Sequence, residues 1–262
     1  MLALNNVSVD FQNFKALSHC DLIVERGEFV SLLGPNGAGK STALKVLSGD
    51  VKPSTGIASI DGVDIQDLDI KKLARARAVM TQNYELLFDF QAKEIVEMAN
   101  FVYAENYSRQ AFKTFAEKAM SMADVLHLKD KNFNALSGGQ KQRVQLARVI
   151  NQVLPALEQP QDNLPFLLID EPTSSLDLYH QYEIMKLAKG LTHQGLGVLC
   201  VVHDLALAAS FSDRLYLLDK GKVVSQGQSE QVLNEQQVLN TYGIKAALFN
   251  EDNHHPVLKI AL

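Results

Sequence analysis

The stretch Gly-Pro-Asn-Gly-Ala-Gly-Lys-Ser-Thr at residues 34–42 constrains the fold of this chain more than any other. It follows a run dense in apolar residues, 28–33, and precedes a helical pattern over 43–47. The order therefore predicts a buried strand, a glycine-rich loop and a helix. In that context the pattern G-x-x-x-x-G-K-[ST] indicates a phosphate-binding loop.

Each residue type in this stretch has a physical reason. Glycines let the backbone adopt positive φ and approach an anion, and the free N–H groups of the loop and helix start attract phosphate. Lys40 can reach the terminal phosphates, and the Ser41 hydroxyl suits Mg²⁺. We expect a nucleotide site formed by Gly34, Pro35, Asn36, Gly37, Ala38, Gly39, Lys40, Ser41 and Thr42, with the helix beginning at Thr42.

Composition limits the classes of protein that remain. The 262 residues are 47% hydrophobic and 21% charged, which suits one large α/β domain or two small ones. The net charge of −5 gives no support to nucleic-acid binding. No apolar run approaches the roughly 20 residues of a transmembrane helix, and we expect no signal peptide. Cys20 and Cys200 lie in strand-like runs and are expected to be buried thiols.

Strand patterns over residues 1–27 and 52–62 predict an antiparallel sheet beside the phosphate-loop core. Phe11 ends the first strand, where it could stack on a base or pack in the sheet; the pattern alone favours packing. Residues 91–128 carry helical periodicity without strand character, which predicts an inserted helical subdomain. Residues 154–165 contain three prolines and indicate a surface loop.

Two buried strands end in residues suited to catalysis. Residues 166–169 lead into Asp170-Glu171, at the strand end where open α/β sheets bind ligands. Asp170 suits the Mg²⁺ shell and Glu171 suits a general base, although the pair could instead cap the next helix. The strand at 197–202 leads into His203, which the same argument puts beside the phosphates, although a lone histidine is more often structural.

A second glycine-rich helix start follows the helical region. Leu-Ser-Gly-Gly-Gln at 136–140 precedes a helix expected over 141–153, with Ser137 as the N-cap. Its exposed N–H groups could bind an anion, but Ser-Gly-Gly is also a common turn. His254-His255 could bind a metal, although no third ligand lies nearby.

Taken in order, six motifs resemble the nucleotide-binding subunit of ABC transporters over nearly the whole chain. They are GPNGAGKST (34–42), Gln82, LSGGQ (136–140), FLLIDEP (166–172), SSLD (174–177) and His203. The resemblance implies an α/β fold: a P-loop NTPase core with a mainly parallel sheet, an N-terminal antiparallel β subdomain and an inserted α-helical subdomain at about 83–150. All of this would form one ABC ATPase domain spanning 1–262.

The resemblance also implies roles for individual residues. Phe11 would stack on adenine, which replaces the packing interpretation. Gln82 would sense the γ-phosphate and Mg²⁺, and His203 would hold Glu171 and the attacking water. The family works as a head-to-tail homodimer with ATP and Mg²⁺. One chain would close over the ATP held by the other through Ser137, Gly138, Gly139 and Gln140, with Asp177 at the seam.

Within the family, the chain is most similar to importer subunits for iron-containing chelates, above all the ATPases of bacterial haemin importers. This similarity rests on the sequence DEPTSSLDLYHQ at residues 170–181 and on the proline-rich loop at 154–165. It implies a permease dimer, a periplasmic haem-binding protein and a place at the cytoplasmic face of the inner membrane. Ferric-siderophore and cobalamin importers share most of the pattern. A soluble ABC ATPase of iron–sulfur cluster assembly would share every ATP motif.

Overall fold

The computed structural model describes residues 1–12, 14–81, 88–158, 164–173, 176–249 and 257–261. Gln82 and the pair His254-His255 therefore lie outside the described residues. In chain order the strands are β1 (Leu2–Phe11), β2 (Phe14–Val24), β3 (Phe29–Leu33), β4 (Thr55–Ile60), β5 (Val63–Asp64), β6 (Arg77–Met80), β7 (Phe166–Asp170), β8 (Gly197–Val201), β9 (Arg214–Asp219), β10 (Lys222–Gly227), β11 (Lys245–Phe249) and β12 (Val257–Ala261). The α-helices are α1 (Lys40–Ser48), α2 (Ile70–Ala76), α3 (Ala92–Glu97), α4 (Arg109–Met122), α5 (Gly138–Glu158), α6 (Leu178–Thr192), α7 (Leu205–Phe211), α8 (Ser229–Val232) and α9 (Glu235–Tyr242).

An antiparallel sheet of order β2-β1-β4-β5 forms the N-terminal part of the fold, as the sequence predicts. Its inward side chains belong to an apolar cluster that also contains Ala38, Ala43 and Leu44 from the region of α1. The sheet therefore covers the phosphate loop and the helix that follows it.

The main sheet has the order β10-β9-β3-β8-β7-β6 among the described strands, with β10 antiparallel to β9 and the other neighbours parallel. Every residue of β3, β7 and β8 is buried, because parallel strands of this kind are covered on both faces. The carboxyl ends of β3, β8, β7 and β6 share one edge. That edge receives the phosphate loop, His203 and Asp170-Glu171.

Helices α3, α4 and α5 pack on one another, which confirms the helical character expected for residues 91–128. Ile95, Phe115 and Val144 join the same apolar cluster as Leu167 and Ile169 of the main sheet. The helical region and the sheet are thus tied by continuous packing.

The prediction of a surface loop over 154–165 is wrong at its start, because α5 continues to Glu158 and contains Pro155. Leu154 and Ala156 are only 2% and 1% exposed. A proline removes one backbone hydrogen bond, but here it lies in the last turn and its neighbours bury apolar surface. Packing therefore outweighs the helix-breaking tendency that the sequence suggested.

Other boundaries differ by local capping. α1 begins at Lys40, not Thr42, after Gly39 at φ 103°. α5 begins at Gly138, directly after its Ser137 cap. The helical pattern over 229–241 predicts one helix, but the structure has two, because the Asn234 side chain accepts a hydrogen bond from the Gln237 N–H and begins α9. The residues after 241, which the sequence predicts to be a tail, contain the hairpin β11–β12.

Cys20 and Cys200 are free and buried, as expected. Burial raises the pKa of the Cys20 thiol to about 12. Within the described part of the chain, no helix combines the length and the apolar character that a membrane span requires.

Candidate nucleotide and catalytic site

The phosphate loop connects β3 to α1 in a conformation that only glycine accepts easily. Gly34, Gly37 and Gly39 have φ values of 145°, 80° and 103°. A Cβ on Gly34 would collide with the Leu218 carbonyl oxygen, and one on Gly39 would lie 2.6 Å from the Ala16 carbonyl oxygen. A Cβ on Gly37 would have no atom of the described residues within 4 Å beyond its own chain neighbours. The loop is thus pressed against the protein at its two ends and open at its middle.

Lys40, the first residue of α1, folds its side chain back over this loop. Its Nζ donates to the carbonyl oxygens of Gly34 at 2.7 Å and Pro35 at 3.0 Å. Burial lowers the pKa of the Lys40 ammonium group, and the carboxylates of Glu171 and Asp170 oppose that shift. A cation held between the loop and two carboxylates has the charge and position to bind phosphate oxygens.

Asp170 ends β7 with its side chain buried against α1. The Ser41 hydroxyl lies close enough to this carboxylate to lower its pKa, yet the Asp170 Oδ1 is buried without a hydrogen-bond partner among the described residues. Burial and, second, the neighbouring Glu171 raise the pKa of Asp170. A buried carboxylate oxygen that lacks a donor beside a hydroxyl fits the oxygen-only ligand set of Mg²⁺.

Side chains alone do not complete a metal site here. Among the described residues there is no group of three or more His, Cys, Asp or Glu side chains able to hold a metal. Phosphate oxygens and water would therefore have to supply the remaining ligands, as in other sites where Mg²⁺ arrives with a nucleotide.

Glu171 follows β7 with a φ of 50°, which is rare for a residue with a side chain. Its N–H donates to the Val201 carbonyl oxygen of β8 at 3.2 Å. Its Oε1 lies 2.5 Å from Nε2 of His203, just beyond the end of β8. Because β8 lies between β3 and β7, the Glu171–His203 pair faces the phosphate loop.

Asp170 and Glu171 do not cap the next helix, which removes the alternative interpretation of this pair. The cap of α6 is Asp177, whose Oδ1 accepts from the His180 N–H at 2.9 Å and contacts His180 Nδ1 at 2.8 Å. Both carboxylates at the strand end are therefore available to the site.

Ser137 caps α5 through a reciprocal pair of hydrogen bonds with Gln140. The Gln140 N–H donates to Ser137 Oγ at 3.3 Å, and the Ser137 N–H donates to Gln140 Oε1 at 3.0 Å. This capping box orients the helix start and leaves Gly138 exposed. This helix start belongs to α5, which packs on α3 and α4. The other candidate site residues meet at the edge of the main sheet; they are Lys40, Ser41, Asp170, Glu171 and His203.

Phe11 is 48% exposed at the end of β1, so it is not a core residue. The packing interpretation of the sequence pattern is therefore wrong, and the ring is available to a ligand.

The turn between β9 and β10 is a part of the site that sequence reasoning missed. The Gly221 N–H donates to the Ala38 carbonyl oxygen at 3.0 Å, and Leu218 backs Gly34. The Asp219-Lys220-Gly221 motif predicts a turn, but nothing local in it indicates contact with the phosphate loop.

Comparison with known proteins agrees with this geometry. The family model described as "ABC transporter" matches residues 17–174. Hemin import ATP-binding protein HmuV of Pseudoalteromonas translucida (strain TAC 125) is 48% identical over 250 residues, covering 95% of each chain.

Solved structures give the same result for the fold. The dimeric post-hydrolysis structure of the ATP-binding cassette MJ0796, bound to ADP and Pi, has a TM-score of 0.76 at 32% identity and covers 87% of this chain and 99% of that chain. An inward-facing metal-chelate type ABC transporter has a TM-score of 0.81 and covers 100% of this chain and 97% of that one, but at 22% identity it supports the fold alone. The chain therefore belongs to the ABC transporter family, as an ATPase subunit, and the expected ABC ATPase fold is confirmed.

Proposed function

We propose that this chain is the ATP-hydrolysing subunit of a bacterial ABC importer and that it powers haem uptake through a partner permease. The observation that carries the proposal is the 48% identity to a hemin import ATP-binding protein across 95% of both chains. The Glu171–His203 pair beside the phosphate loop supports the ATPase part independently.

In the proposed reaction, Glu171 is the general base and His203 positions it. The carboxylate accepts a proton from water as the water attacks the γ-phosphate, and His203 keeps Oε1 directed at that water. Lys40 exchanges the Gly34 and Pro35 carbonyl oxygens for phosphate oxygens when ATP binds. The ammonium group then offsets charge that develops in the transition state.

The metal ligands in this proposal are Ser41, Asp170 and Gln82. Mg²⁺, when bound with ATP, neutralises charge on the transferring phosphoryl group. The buried, unpartnered Oδ1 of Asp170 supports this assignment, while Gln82 enters through the family resemblance only.

We propose a homodimer in which two chains share each ATP. The phosphates would bind residues 34–42 of one chain, with Phe11 on the adenine, while the capped start of α5 in the second chain closes the site. The exposed Gly138 and the dimeric MJ0796 structure with ADP and Pi support this arrangement. The closing residues are Ser137, Gly138, Gly139 and Gln140.

The region that follows Gln82 is the proposed contact with the permease. Phe88 and Phe101 are large apolar side chains that are mostly exposed at the border of the helical region, about 83–150. Docking there would hold the chain at the cytoplasmic face of the inner membrane. A periplasmic haem-binding protein would act through the permease and not on this chain directly.

Reconstitution with the co-purifying permease in liposomes tests the proposal. We expect a haem-loaded binding protein to stimulate ATP hydrolysis above the rate with the unloaded protein. Stimulation by a ferric siderophore or by cobalamin instead would overturn the assignment of haem as the cargo. Recovery of the chain from cytosol on a soluble iron–sulfur scaffold, with no permease, would overturn the transport function itself.

A further inference from the structure

Two phenylalanines lie side by side at the tip of the β1–β2 hairpin. Phe11 ends β1, Phe14 begins β2, and the two residues are paired across the strands. Directly opposed residues of an antiparallel pair project on the same face, with Cβ atoms about 4.5–5.5 Å apart. Both rings are exposed, at 48% and 61%.

The shared face is the one turned toward the phosphate loop. Along β1, Val9 is buried and Asp10 is exposed. The register shift at this point puts its extra residue, Ala16, on β2, so β1 keeps alternating and Phe11 returns to the side of Val9. Val9 packs in the apolar cluster that contains Ala38 of the loop and Leu44 of α1. The two rings therefore continue the inward face of the sheet beyond the edge of this cluster.

The hairpin tip is also close to the loop. Ala16 lies two residues after Phe14, and its carbonyl oxygen is 2.6 Å from the position of a Cβ on Gly39. At about 3.4 Å per strand residue, Phe14 is about 7 Å along β2 from that contact. A nucleotide with its phosphates in the loop can extend its base toward both rings.

We propose that Phe14 is a second base-contacting residue and that Phe11 and Phe14 together form a two-ring platform for the purine of the nucleotide. This inference rests on the proposed binding of ATP at residues 34–42. Covering two solvent-exposed rings with one flat base removes apolar surface from water and adds offset stacking. A ring platform contacts the face of the base and not its hydrogen-bonding edge, so it serves ATP and GTP alike.

Affinity measurements with two ligands separate base contact from loop contact. The variants are Phe14→Ala, Phe11→Ala and the control Ile70→Ala, an apolar side chain that is 84% exposed at the start of α2. The probes are ATP and inorganic tripolyphosphate, which has the phosphates but no base, and GTP is measured beside ATP as a second purine nucleotide. We expect Phe14→Ala to weaken ATP binding about three- to tenfold, with tripolyphosphate affinity and the control unchanged. Phe14→Tyr should restore ATP affinity and Phe14→Leu should not.

Three results would overturn the platform. ATP affinity unchanged in Phe14→Ala but reduced in Phe11→Ala would leave a single ring. Equal loss of ATP and tripolyphosphate affinity would mean that Phe14 acts on the loop. A loss of ATP affinity with no loss for GTP would mean that the base edge is read. Failure of the unaltered chain to bind either probe would instead remove the proposed ATP site itself.

Discussion

Glu171 combines a left-handed backbone with a largely buried carboxylate that touches His203. Residues with side chains rarely adopt this conformation, and those that do are held in it by their surroundings. Here the Glu171 N–H is held by Val201 of the neighbouring strand. The carboxylate interacts electrostatically with Lys40 beside the phosphate loop, where the proposed base would act.

Glu171→Gln should retain ATP binding and lose about 10²–10⁴ in hydrolysis rate, because the amide cannot accept the proton from water. Steady-state ATPase assays and nucleotide-affinity measurements check the two halves of this expectation. Glu183→Gln, on the exposed part of α6, is the matched control and should hydrolyse ATP normally. Hydrolysis at the unaltered rate in Glu171→Gln would assign the base to another group.

For individual residues, the sequence predicts which side chains are suited to catalysis better than it predicts which side chains contact one another. Asp170-Glu171 and His203 each end an apolar run, so their common edge could be inferred. Their hydrogen bond depends on the order β3-β8-β7, which no local pattern contains. The exposure of Phe11 likewise depends on where the core ends and not on its own strand pattern.

Among the elements, the N-terminal antiparallel sheet and the main sheet are linked by Arg26, in the turn after β2. Its guanidinium donates to both Asp61 oxygens, at 2.6 and 2.7 Å, and to the Leu164 carbonyl oxygen at 2.9 Å. It also lies over the Phe166 ring at the start of β7. One side chain thus joins the β4–β5 turn to the strand that ends in Asp170.

The hydrogen bond from Arg26 lowers the pKa of Asp61 to about 2, with the chain's amino terminus contributing. Since this value is below that of an unfolded aspartate, the stabilisation is complete above about pH 4 and is lost as the pH falls through about 2. Asp61→Asn should cost about 1–2 kcal/mol at pH 7, allowing for partial exposure. Urea unfolding at several pH values measures it, with Asp67→Asn as an exposed control. A deficit that persisted undiminished near pH 2 would contradict this account.

Element types were predictable here because periodicity differs between strands and helices, while boundaries followed contacts distant in sequence. The extension of α5 through Pro155 is the clearest case. Its proline signal is local, but the packing that overrides it comes from the rest of the apolar core. The Tyr107 hydroxyl, from the segment before α4, donates to the Pro155 carbonyl oxygen at 3.3 Å.

Across the whole molecule, the two glycine-rich helix starts belong to different parts of the fold. The start of α1 lies at the edge of the main sheet. The start of α5 lies in the helical region, where Ser137 and Gln140 form its capping box. In the proposed dimer each ATP needs one start from each chain. A symmetric pair then has two equivalent sites, each lost when either contributing chain is altered.

Mixing two defective variants tests that shared site. Lys40→Ala removes the ammonium group proposed to bind phosphate, and Gly139→Asp adds a negative charge at the start of α5. Each variant alone should therefore be inactive. In a mixed dimer, one site combines both defects and the other combines the intact Lys40 of one chain with the intact Gly139 of the other. With half of the dimers mixed and one of two sites intact in each, ATPase activity should recover to about a quarter of the unaltered rate. Differently tagged copies verify that mixed dimers form. Mixed dimers without recovered activity would show that a single chain supplies the whole site.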